Sequence, residues 1–248
     1  MLRVFLLTVV FATYVQSSAG FIAGAKGAAA VWLRRPAVIS RQHRLSMMAP
    51  NLPPAPLGYT MPHSSASPKV QVDFFFDLAC PFAGRMYLTL QKVLPLYEGK
   101  GVLWKMYHVP QPWHPQSTLM HEAALAVNTV KPEAFFDFCH AVWTQREEKF
   151  IDDVTVDKTR NQIYDVLAEI AAEVGVEKEA VRQKLELKAL GNMGTHMTQG
   201  IKFATQYHRK RGVHVTPTVF MNGIENGAIS SSATVDEWKE TLDALVAA

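Results

Sequence analysis

The chain has 248 residues, 48% of them apolar and 19% charged, enough for an ordinary buried core and unlike a disordered chain. Its formal charge of +3 is unevenly spread: residues 1 to 72 hold seven bases and no acid, while the remainder holds 18 bases against 22 acids, a net −4. That acidic remainder argues against nucleic-acid binding driven by phosphate neutralisation, and having only two cysteines, Cys80 and Cys139, excludes a disulfide-stapled mini-domain and a four-cysteine zinc site.

In chain order, residues 4 to 15 form an apolar stretch behind Arg3 and ahead of the small cluster Ser17-Ser18-Ala19-Gly20. This is the layout of a signal peptide over 1–20. Its apolar run falls short of the roughly 20 residues a spanning helix needs, so no stable membrane anchor is expected after cleavage. Residues 21–68 turn to Ala, Ser, Arg and Pro without acids or sustained periodicity, the composition of a transit peptide or a disordered linker. Met47-Met48 permits a shorter product that lacks the signal.

The folded domain is read over 69–248. Residues 69–77 alternate and then become wholly apolar, as in a strand entering a buried sheet. Cys80 to about Tyr97 reads as a helix with Met86, Leu90, Val93 and Leu94 on one face, ended by Gly99 and Gly101. Residues 102–109 form a second strand, parallel to the first through a right-handed crossover. A helical insertion is expected at about 110–194, with helices over 119–130, 133–146, 156–174 and 178–189 punctuated by Pro132 and Gly175. A helix over 195–211 leads to a third strand, 213–221. Asn222-Gly223 is a hairpin signal for a type I′ turn, and 224–229 pairs back as a fourth strand. The last helix starts at a capping box of Thr234 and Glu237. The fold class is α/β: βαβ, helical insertion, helix, ββ hairpin, helix.

Two patches add chemistry to this order. Asp73-Phe74-Phe75-Phe76-Asp77-Leu78-Ala79-Cys80-Pro81-Phe82-Ala83 resembles the strand, loop and C-P-x-C motif of DsbA-like oxidoreductases. Val213-His214-Val215-Thr216-Pro217-Thr218 and the strand after it resemble the cis-proline loop of that family. The resemblance covers about 69–248 and implies a thioredoxin-like fold of the DsbA type. It makes Cys80 the nucleophile, Pro81, Phe82 and Ala83 the active-site loop, and Thr216 and Pro217 the substrate platform, the bond between them cis. A cysteine at a helix start faces unpaired N–H groups and the positive end of the macrodipole, which favour the reactive thiolate. Pro81 in the next position initiates the helix without wasting an N–H.

The chain departs from the family where Ala83 replaces the second motif cysteine. No internal disulfide can then form across the helix start, but a lone thiolate still attacks a disulfide and is released by an outside thiol. The expected activity is monothiol thiol–disulfide exchange, as an oxidoreductase or isomerase, on a thiol- or disulfide-bearing protein or peptide. No tightly bound cofactor is expected; glutathione is a candidate co-substrate. Kappa-type glutathione transferases and hydroxychromene-carboxylate isomerases, which share this fold, offer a second reading, and a non-catalytic binding module a third.

Asp77 is a candidate for proton transfer near Cys80, though an Asx turn capping the loop explains it equally well. Cys139, with apolar neighbours three and four residues away on either side, reads as a core thiol. His108, His114 and His121 match no ligand spacing, so no metal site is assigned, and they read as surface or groove histidines. The leader resembles the bipartite leaders of algae whose plastids lie inside an endomembrane. Endomembrane routing is therefore expected, to a plastid or to the secreted or ER-lumen space.

Overall fold

The computed structural model describes residues 52–189 and 191–248; the signal peptide read over 1–20 and most of the 21–68 segment lie outside them. A central strand rich in phenylalanine organises the rest. β1 (Tyr59–Thr60), β2 (Val70–Phe76), β3 (Val102–His108), β4 (Thr218–Met221) and β5 (Ile224–Glu225) form one sheet in the order β1-β3-β2-β4-β5. β2 runs parallel to β3, with Val70 opposite Val102 and Phe76 opposite His108, and antiparallel to β4, with Phe75 opposite Thr218.

Alternation along β2 sends aromatic rings to both faces. Phe74 and Phe76 stack on each other at 5.4 Å, and Phe74 meets Trp104 and Trp238. On the opposite face Phe75 stacks on Tyr107 at 4.9 Å and on Tyr207 at 6.2 Å. All three phenylalanines are fully buried, which is why this strand reads as an unbroken apolar run.

The helix after β2 is α1 (Pro81–Val93), which passes into a 3-10 turn, Leu94–Tyr97, at Pro95. Gly99 and Gly101, with φ of +74° and +79°, reverse the chain into β3, and the Gly101 carbonyl accepts from the N–H groups of Lys69 and Val70. The insertion holds α2 (Ser117–Val130), α3 (Phe135–Thr144), the single turns α4 (Arg146–Lys149) and α5 (Asp152–Thr155), α6 (Arg160–Glu173) and α7 (Lys178–Lys184). Buried Glu122 of α2 accepts from Tyr164 of α6 and, at 2.5 Å, from the Thr198 hydroxyl at the start of α8 (Thr198–Lys210). One carboxylate thus ties three helices together.

The elements expected from sequence are present with shifted ends. The helix expected from 133 begins as a 3-10 turn on Pro132. The one expected from 156 begins at Arg160, because Thr159 and Gln162 close a capping box there. The third strand starts at Thr218 rather than 213, since Val213 to Pro217 form a loop. Asn222 and Gly223 take φ of +49° and +86°, as a type I′ turn requires, and the Thr234–Glu237 capping box opens α9 (Val235–Ala247).

The start of the domain needs correction. β1 pairs antiparallel with β3 ahead of residue 69, Met61 is 2% exposed, and the Met61 N–H donates to the Trp104 carbonyl at 2.9 Å. The end of the segment read as transit peptide or linker is therefore part of the sheet. Among the described residues no helix is long and apolar enough to cross a membrane.

Candidate active site

Cys80 caps α1: its backbone is extended, with φ −75° and ψ 123°, and Pro81 takes the first helical position. The strand's end and the helix's start thereby fix Sγ at the carboxyl edge of the sheet. The Cys80 thiol donates to the Thr216 carbonyl at 3.3 Å, across the gap between the ends of β2 and β4. The Thr216–Pro217 peptide is cis. The loop is held at both ends, by Gln111 Nε2 donating to the His214 carbonyl at 3.2 Å and by the Thr218 hydroxyl donating to the Val215 carbonyl at 2.8 Å.

Cys80 is only 4% exposed, yet Phe82 and Val215 beside it are 50% and 59% exposed. Ala83 is fully buried one turn along α1. Among the described residues no group accepts from the Val215 or Thr216 N–H, so this stretch offers free donors next to the thiol. The sequence-read residues Cys80, Pro81, Phe82, Ala83, Thr216 and Pro217 therefore fall in one place.

Asp77 is fully buried and serves as the knot of the loop. Its Oδ1 accepts from the Ala79 N–H at 3.0 Å, completing an Asx turn, and from the Ser117 hydroxyl at 2.5 Å; Oδ2 meets His114 Nδ1 at 2.7 Å. His121 Nε2 lies 3.1 Å from Oδ1. Burial pulls the carboxyl upward, but hydrogen bonds from His114, His121 and Ser117 outweigh it and hold Asp77 well below the usual carboxylate range. A carboxylate so fixed and so crowded by donors anchors the loop rather than carrying protons. The proton-transfer reading of Asp77 gives way to the Asx-turn reading.

The histidines are partners of this knot and not surface groups. His121 is fully buried and its Nδ1 lies 2.6 Å from Nδ1 of His108, which is 3% exposed. Burial drives His108 well below the ordinary histidine value, so it is neutral. Among the described residues no three such side chains are arranged to hold a metal.

Arg146, nearly buried, was not singled out from the sequence. Its Nε donates to the Ala79 carbonyl at 2.6 Å, so the insertion reaches over to hold the residue before Cys80. Nothing local marks an arginine in Arg-Glu-Glu-Lys for this task; only the fold brings it there. Cys139 is fully buried in α3 and burial pushes its thiol far up, in keeping with a core thiol. Both cysteines are free.

A helix-capping cysteine set against a cis-proline loop, on a βαβ unit with a helical insertion and a closing ββα unit, defines a thioredoxin-fold protein of the DsbA-like type. The chain belongs to the thioredoxin family, whose model matches residues 61–244. Solved structures agree in fold. BdbD from Bacillus subtilis, in its oxidised form, has a TM-score of 0.59 and 21% identity over 75% of this chain and 91% of its own. Alpha-DsbA1 from Wolbachia pipientis has a TM-score of 0.59 and 16% identity over 79% and 94%. A thioredoxin-like oxidoreductase from Silicibacter pomeroyi has 0.56 and 18% over 78% and 95%. No curated protein matches this sequence.

Proposed function

We propose that the protein carries out thiol–disulfide exchange through Cys80 alone. The observation that supports this reading is the Cys80 thiol 3.3 Å from the Thr216 carbonyl, with Ala83 where a resolving cysteine would stand. The Cys80 thiolate attacks one sulfur of a disulfide, forming a mixed disulfide and expelling the other sulfur as a thiolate. A second, external thiolate attacks the mixed disulfide and restores Cys80. No net oxidant is consumed, so the cycle shuffles disulfides or couples to a thiol such as glutathione. The free Val215 and Thr216 N–H groups would pair with an extended segment of a protein substrate, while exposed Phe82 and Val215 cover its apolar side chains.

Incubation of the Cys139→Ala protein with oxidised glutathione, followed by intact-mass analysis, tests the reading. A single glutathione adduct is expected on Cys80, removed by added reduced thiol and absent from Cys80→Ser. No adduct, or binding of glutathione without one, would favour a transferase-like or non-catalytic site instead.

Secretory routing fits the leader's apolar stretch, and a structural neighbour is a periplasmic thioredoxin-like protein from Salmonella enterica (TM-score 0.55, 16% identity). The plastid is a destination inferred from leader composition alone.

A further inference from the structure

The backbone around Cys80 is held at four points. The Ala79 N–H donates to Asp77 Oδ1 at 3.0 Å, and the Ala79 carbonyl accepts from Arg146 Nε at 2.6 Å. The Cys80 N–H, in the same peptide plane as that carbonyl, donates to the Asp77 carbonyl at 3.1 Å, and the Cys80 carbonyl accepts from the Gly84 N–H at 3.1 Å. A peptide unit is planar and stiff, leaving φ and ψ as the soft angles. Fixing the planes on both sides of the Cys80 Cα therefore fixes the direction in which its side chain leaves. Sγ then falls 3.3 Å from the Thr216 carbonyl.

Three of these bonds form within residues 77–84, as any strand-to-helix loop could arrange. The bond from Arg146 is different: it crosses 67 residues and comes from the insertion. Its base is rigid. The Arg146 carbonyl accepts from the N–H of fully buried Phe150 at 2.8 Å, and the Phe150 carbonyl accepts from Gln116 Nε2 at 2.5 Å. The guanidinium is nearly buried, with Nη1 paired to Glu147. Because its donors form a fixed planar fork, that pairing also sets the direction of Nε–H. A hydrogen bond from a charged donor is stronger than one between neutral groups, so the Ala79–Cys80 plane is gripped hardest from the insertion.

We propose that Arg146 is a positioning residue for exchange at Cys80: by fixing the Ala79–Cys80 peptide plane it aims Sγ at the Thr216 carbonyl and into line with an incoming disulfide. Its effect on rate rests on the exchange reading, whereas its effect on the placement of Sγ does not.

The test compares the full Cys139→Ala chain, whose sole thiol is Cys80, with the same chain carrying Arg146→Met. Alanine labelled with ¹³C at the carbonyl and cysteine labelled with ¹⁵N give one coupled signal, since Ala79-Cys80 is the only Ala-Cys pair in the sequence. Without Arg146 the Ala79 carbonyl signal should move to that of a carbonyl lacking this donor, and the infrared S–H stretch of Cys80 should rise toward that of a free thiol. Adduct formation with oxidised glutathione should slow at least about tenfold relative to alkylation by iodoacetamide, a small reagent that needs no alignment with a disulfide. Both reagents consume the thiolate, so the ratio at one pH cancels any change in its amount. An unmoved S–H band or an unchanged ratio overturns the proposal. A parent chain that forms no glutathione adduct overturns the exchange reading instead, and the carbonyl and S–H signals then decide the placement of Sγ alone. If Arg146→Met does not fold, Arg146→Lys, which keeps the charge but puts a methylene where Nε stands, should move the same signals in the same direction; parent-like signals and ratio in that variant refute the positioning role.

Discussion

The proposed monothiol cycle turns on a single side chain, Ala83. Positions 80 and 83 lie one turn apart on the same side of the start of α1, a separation a disulfide can span. Ala83→Cys combined with Cys139→Ala is expected to form an internal bridge under oxidised glutathione and to oxidise reduced peptides with turnover. Cys139→Ala alone should stall as a mixed disulfide until an external thiol arrives. Mass mapping of the bridge and a peptide-oxidation assay distinguish the two; turnover without added thiol by the chain bearing Ala83 would refute the monothiol cycle. Asp77 supports a different expectation. Its folded-state carboxyl titrates below the reference of 3.8, so its contribution to stability is present above that value and lost as pH falls through and below it. Asp77→Asn should cost about 2 kcal/mol or more at pH 7, because a neutral amide cannot accept from all of these donors. The gap to wild type should shrink toward pH 3, as urea unfolding at the two pH values would show.

Among the strands, β1 was the one hidden in the sequence. Two residues carry no period, and a proline-rich surround with no acids reads as linker. Its pairing is nonetheless substantial. Tyr59 stacks on Phe135 at 4.2 Å, the Ser65 N–H donates to the Val102 carbonyl at 2.7 Å, and Met61 is buried. A chain beginning at Lys69 is therefore expected to lose about 3 kcal/mol in urea unfolding against one beginning at Leu52, the scale of deleting a large core side chain. Equal stability would return the boundary to 69. The long elements were legible because each carries its own signal: the apolar run of β2, the Asn222-Gly223 turn, the Thr234–Glu237 box. Their ends were set by tertiary demands instead, as where the loop holding Pro217 shortens β4. The same limit applied to the site. Cys80 and Pro217 stood in recognisable local patterns, whereas Arg146 against Ala79, and Asp77 against Ser117 and His121, are pairs tens of residues apart that only the packing of the insertion on the sheet unites.

For the molecule as a whole, the borders of the sheet are built differently from its interior. The interior of this sheet is a run of three phenylalanines flanked by tryptophan and tyrosine, the kind of strand that would zip onto copies of itself if it reached the margin. It is kept in the middle, and both outermost strands are only two residues long, too brief to template addition of another chain. Among the described residues no group accepts from the Val215 and Thr216 N–H groups, which flank the carbonyl that takes the Cys80 thiol at 3.3 Å. On the proposed exchange reading, a visiting polypeptide is denied main-chain partners along the described flanks of the sheet and offered them beside Cys80. On that reading, the architecture that guards against self-association also sorts which backbone meets Cys80.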